Sequence, residues 1–106
     1  MILQFIETPI YSEQVDRLLS AEDQRLIQWH LLEHPTRGDL IKGSGGLRKI
    51  RWAGSGRGKR GGIRVIYYLW HEHTAYMLFA YPKNKQEDLT ADQLKVLRQL
   101  IELYTQ

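Results

Sequence analysis

The sequence predicts an α+β fold in the order β-α-α-β-β-β-α: a mostly antiparallel β-sheet with an N-terminal helical hairpin and a C-terminal helix. Three observations carry this expectation. Two capped segments with helical spacing occupy the first third of the chain. The middle third switches to period two and is rich in β-branched and aromatic residues, and a third capped amphipathic segment closes the chain. There is no internal repeat and no linker long enough to divide the chain, so residues 1–106 are expected to form a single domain.

Taken in order, Ile2 to Glu7 is a short apolar run suited to a first strand. Thr8 followed by Pro9 supplies a cap and a proline at the first helical position, and Ile10, Val15, Leu18 and Leu19 continue at rough helical spacing, ending near Ser20. Ser20 ahead of Ala-Glu-Asp opens a second helix, whose apolar positions Leu26, Ile27, Trp29, Leu31 and Leu32 stop before Pro35. Thr36 to Gly46 is turn-rich. Leu47 to Trp52, Ile63 to Trp70 and Ala75 to Tyr81 read as three consecutive antiparallel strands, with His71 to Thr74 closing the second hairpin. Thr90 then caps a helix in which Leu94, Leu97, Leu100, Ile101 and Tyr104 recur at helical spacing.

The charge is distributed unevenly along this frame. Between Leu40 and His71 lie eight cations (Lys42, Arg48, Lys49, Arg51, Arg57, Lys59, Arg60, Arg64) and no acidic residue, whereas the remaining seven basic and twelve acidic residues sum to −5. A localised basic stretch inside a folded domain points to a bound polyanion. No apolar run is long enough to span a bilayer, no basic n-region precedes a long apolar stretch, and there is no cysteine. A cytoplasmic protein with no membrane partner is expected.

Hairpin geometry gathers these charges. If His71 to Thr74 closes one hairpin, Arg64 lies opposite roughly Tyr81, and Lys83 and Lys85 emerge beside it. If the glycine loop closes the other, Arg51 faces Arg64, with Lys49 one pleat away on the same face and Arg48 sharing the face of Ile50. Opposed like charges cost about 1 kcal/mol in bulk water and more at lower effective dielectric, a sign that an anion between them reverses. Gly54 to Gly62, which carries Arg57, Lys59 and Arg60, has the freedom to present amide hydrogens to phosphates. It lacks the Gly-Lys-Ser/Thr that opens a helix in a nucleotide P-loop, and it lies between antiparallel strands rather than at a strand-to-helix turn. Loop and charge together indicate a phosphate-rich partner, nucleic acid first among them.

Three blocks in this order, Gly46-Leu47-Arg48-Lys49-Ile50-Arg51, Gly61-Gly62-Ile63-Arg64-Val65-Ile66-Tyr67-Tyr68 and Tyr81-Pro82-Lys83-Asn84-Lys85-Gln86-Glu87-Asp88-Leu89-Thr90, resemble the RelE/HigB family of bacterial type II toxins, within the RelE/ParE superfamily. The resemblance covers nearly the whole chain and implies a RelE-like fold. It also implies an endoribonuclease, a ribosome-dependent mRNA interferase that cuts mRNA in the A site and so inhibits translation, held inactive by a HigA-like or RelB-like antitoxin. In that chemistry the ribose 2′-hydroxyl attacks the adjacent phosphate, leaving a cyclic phosphate and a 5′-hydroxyl, with no cofactor and no metal. It needs a proton acceptor, charge stabilisation and a proton for the leaving oxygen. Matching the family's motifs makes Lys49, Arg51 and Arg64 catalytic candidates, with Arg64 as the contact to the scissile phosphate. Lys49, Lys59 or a ribosomal group is the candidate base, and Lys83 or Lys85 stabilises charge or protonates the leaving group. Arg48, Arg57, Lys59, Arg60 and Trp52 are the expected RNA-binding residues. The chain departs from some members where they carry an arginine, here Asn84, and where they carry a tyrosine, here Thr90; Tyr81 is a candidate replacement.

Rival readings sit beside these. The related ParE toxins share the fold but poison DNA gyrase, and generally lack the full basic set. A non-catalytic RNA-binding relative would suit the cluster equally well. His30 and His34 at helical spacing, and His71 and His73 in a turn, match metal-ligand spacings, but no cysteine or carboxylate pattern completes either site, and surface or helix-end positions are expected. Trp29, Tyr67, Tyr68, Trp70, Tyr76 and Phe79 read mostly as core rather than as a stacking platform.

Overall fold

The protein is represented by a computed structural model that describes residues 3–53, 62–71 and 73–106. The elements run β1 (Gln4–Glu7), α1 (Pro9–Leu18), α2 (Ala21–Glu33), β2 (Asp39–Leu40), β3 (Leu47–Trp52), β4 (Ile63–Trp70), β5 (Thr74–Pro82) and α3 (Ala91–Tyr104). The three capping threonine and serine residues act as their sequence context predicts. Thr8 accepts from Tyr11 N with Pro9 opening α1, Ser20 accepts from Asp23 N, and Thr90 forms a capping box with Gln93.

The sheet has the order β1-β5-β4-β3-β2, in which β1 pairs parallel with β5 and every other pairing is antiparallel. The three central strands match expectation. Strand β2 is additional: two exposed residues, too few to show a period, held by a turn in which Ser44 accepts from Leu47 N and donates to Ile41 O. Apolar residues line both faces of the sheet. Tyr11 and Val15 of α1 and Ile27 and Leu31 of α2 pack with Ile50, Val65 and Tyr67 on one face, while Leu97 of α3 packs with Leu47, Ile66 and Leu78 on the other.

On α2 the buried residues Asp23, Ile27 and Leu31 form one i,i+4 stripe; Leu26, Trp29 and Leu32 lie on the outer row, with Trp29 60% exposed. Trp29 is therefore not the core residue its position suggests. Tyr67 and Tyr76 are buried, and Tyr68, Trp70 and Phe79 pack half-buried against the α3 core. Among the described residues, no helix is long and apolar enough to cross a membrane.

Two local features set the geometry of the sheet's basic end. The register shifts between Ile66, which pairs with Phe79, and Tyr67, which pairs with Met77, so Leu78 is an extra residue in β5. Its carbonyl accepts from the Thr8 hydroxyl at 3.0 Å, and just beyond it Ala80 N donates to Gln14 Oε1 at 2.7 Å where β1 no longer runs alongside. The bulge inverts the alternation beyond Leu78, so that Tyr81 rather than Ala80 joins the α3 face. At the same end Gly62 has φ +70, and a Cβ there would collide with the Trp52 carbonyl oxygen. Only glycine tolerates that position without strain, and its own carbonyl accepts from Lys83 N at 3.0 Å.

Candidate functional site

Strand alternation divides the basic residues of β3 between two faces. Ile50 and Trp52 contribute to the core beneath α1 and α2, so Lys49 and Arg51 point to the other side, together with Leu47. Across the ladder Arg51 pairs with Arg64, and Arg64 pairs with Tyr81. Three strands thus place two guanidinium side chains and a phenol in one row, with Lys49 a pleat away opposite Ile66. Side chains directly opposed on neighbouring strands have Cβ atoms about 5 Å apart, close enough for all three to engage one phosphate group.

The electrostatics bind this row to the loop after β5. Lys49 Nζ lies 2.9 Å from Asp88 Oδ1. The hydrogen bond from Lys49 and its charge, followed by Arg64 and Arg51, hold the Asp88 carboxyl below the usual carboxylate range. One carboxylate therefore senses all three cations. Arg64 is only 4% exposed, which leaves its guanidinium little freedom. Tyr81 is equally buried; desolvation first, then the carboxylates of Asp88 and Glu87, push its phenol above the ordinary value, with Arg64 opposing. Lys83 and Lys85 are exposed on the turn that leaves β5, closed by Lys85 N donating to Pro82 O at 3.0 Å.

Other residues expected here have different surroundings. The Arg48 guanidinium donates to Thr36 O at 3.1 Å and Gly38 O at 2.7 Å, tying the connection after α2 to β3. Trp52 packs into the core under α1 and α2, edge-on to His30 with ring centroids 6.1 Å apart, and its Nε1 donates to Asp23 Oδ1 at 3.5 Å. Both lie on the face away from Lys49, Arg51 and Arg64. Arg57, Lys59 and Arg60 lie outside the described residues. Thr90 is engaged as a helix cap, its hydroxyl accepting from Gln93 N at 3.1 Å. The His30 and His34 rings lie tilted with centroids 5.7 Å apart, and burial lowers the His30 pKa; among the described residues no group of three or more His, Cys, Asp or Glu is placed to hold a metal.

Asp88 is the site residue that motif reading passes over. It lies 39 positions from Lys49, within a lysine-rich tail where one carboxylate carries no local signal.

A family model described as the RelE toxin of the RelE / RelB toxin-antitoxin system matches residues 20–106, which takes in everything from α2 to α3 and the whole cation row. The chain belongs to the RelE toxin family. Among solved structures, the free-state Escherichia coli toxin RelE carrying two arginine-to-alanine substitutions is similar with a TM-score of 0.59 and 14% identity, over 82% of this chain and 90% of that one. The RelE likeness at that identity is one of fold, and it agrees with the three helices and five-stranded sheet described above. Membership makes this chain a toxin of a toxin–antitoxin system, with an antitoxin as its expected partner by kind.

Proposed function

We propose that this RelE-family toxin is a ribosome-dependent mRNA endonuclease that stops translation by cutting mRNA in the A site. The observation that carries this reading is the row Arg51–Arg64–Tyr81 with Lys49 beside it, which concentrates positive charge on one face at the strand ends. A phosphate held there gains charge-assisted hydrogen bonds from two guanidinium forks, and negative charge that grows at phosphorus as the 2′-oxygen attacks is stabilised by donors already in place. Arg64, buried and fixed by β4, contacts the scissile phosphate; Arg51 flanks it; Lys83 and Lys85 lie on the following turn, where they hold the adjoining strand of RNA. Lys49, Lys59 or a ribosomal group accepts the 2′-hydroxyl proton. The antitoxin, HigA-like or RelB-like, blocks this face or its approach to the ribosome.

Purified toxin is assayed on a defined mRNA, free and bound to ribosomes with the A-site codon vacant. Cleavage is expected on ribosomes and absent on free RNA. Efficient cutting of free RNA would contradict the ribosome-dependent reading, and gyrase-dependent DNA breaks without RNA cuts would favour the gyrase poison.

A further inference from the structure

Among the described residues the Tyr81 hydroxyl is a buried side-chain oxygen with no hydrogen-bond partner. Buried phenols ordinarily find one. Two other tyrosines of the same sheet do so: Tyr67 donates to Pro35 O at 2.7 Å and Tyr76 to Tyr104 O at 3.4 Å. Tyr81 is the exception, and it is the tyrosine directly opposite Arg64. Its position there depends on the Leu78 bulge, which turns the end of β5 over. The ring is supported by Phe79, with centroids 6.0 Å apart. An unused donor beside the cations Arg64, Arg51 and Lys49 calls for an anionic acceptor, and the chemistry of such an acceptor is that of a phosphate ester.

We propose that Tyr81 is a catalytic residue of this site, giving its phenolic proton to the 5′-oxygen that leaves when the RNA chain breaks. The proposal rests on the nuclease reading above. As the 2′-oxygen bonds to phosphorus, the bond from phosphorus to the 5′-oxygen breaks and the electron pair on that oxygen takes the phenolic proton. The 2′-hydroxyl proton passes to the base named above, Lys49, Lys59 or a ribosomal group, and the phenolate regains a proton from solvent once the products depart. Desolvation keeps the phenol protonated through the neutral range, so the proton is present to be given. Arg64, across the ladder, stabilises the phenolate that results. Entry of the phosphate competes with Asp88 for Lys49, and an exposed ion pair of that kind is readily exchanged.

The test is single-turnover cleavage of ribosome-bound mRNA by wild-type toxin and Tyr81→Phe, on a normal substrate and on one with sulfur in place of the leaving 5′-oxygen. The sulfur leaves as a thiolate and needs no proton. Tyr81→Phe is expected to cleave the normal substrate about 100-fold or more slowly, and to cleave the sulfur substrate as fast as wild type. That recovery also demonstrates a folded, binding-competent variant, as does retained antitoxin binding. Wild-type rates for Tyr81→Phe on the normal substrate, or a defect that the sulfur substrate leaves in place, would overturn the assignment. If wild-type toxin cuts neither substrate on ribosomes, the nuclease reading itself fails and the assignment falls with it, an outcome separate from the other two.

Discussion

Replacing Arg64 separates the charge of this side chain from its packing. Only 4% of Arg64 is exposed, so truncation to alanine removes the guanidinium and also empties the space filled by its stem. Methionine removes the same charge but retains three heavy atoms beyond Cβ. At about 0.8 kcal/mol per methylene-sized group, Arg64→Met is expected to be about 2 kcal/mol more stable than Arg64→Ala. For a chain of 106 residues that difference corresponds to a melting temperature higher by about 10 °C. Catalytically the two variants are expected to be alike. Loss of one preorganised charge-stabilising group lowers the rate by about 10²–10³, and Arg64→Lys recovers part of it, because the charge returns without the planar fork. Urea or thermal unfolding is compared with single-turnover cleavage on programmed ribosomes. Arg64→Met cleaving within a few-fold of wild type would refute the role given to the guanidinium. Equal stability of the methionine and alanine variants would refute the packing argument.

Thr90→Ala removes the capping box at the start of α3 and is expected to destabilise the protein by about 1 kcal/mol while leaving ribosomal cleavage intact. Lost cleavage at unchanged stability would instead make Thr90 part of the site. Gly62→Ala is expected to lower stability by more than about 1 kcal/mol, because it combines a left-handed backbone with a collision against the Trp52 carbonyl. An unaltered urea midpoint would show that the end of the β3–β4 hairpin rearranges freely.

Much of this architecture is legible in local pattern. Thr8-Pro9, Ser20 and Thr90 mark the three helix starts because capping chemistry is local, and the facing of Arg51 to Arg64 and of Arg64 to Tyr81 follows once two hairpins are assumed. The pairing of β1 with β5 is legible nowhere, since parallel partners distant in sequence leave no periodic signature. Strand β2 is too short to show one. The Leu78 bulge is equally silent, yet it decides which side of the sheet Tyr81 joins. In the site, Arg48 and Trp52 attract attention by adjacency to the cations along the chain, and strand alternation carries both to the opposite face. Asp88 and the unpartnered Tyr81 hydroxyl emerge only in three dimensions, because each is defined by what surrounds it after folding.

Lys49, Arg51 and Arg64 are proposed to form an RNA-cleaving face that works on the ribosome. The most direct measurement is to induce this toxin without its antitoxin and map the 5′ ends of cellular mRNAs. New 5′-hydroxyl ends in phase with the reading frame, located at A-site codons and absent with Arg64→Met, are the predicted result. Intact mRNA during growth arrest, or cuts unrelated to translating ribosomes, would contradict it.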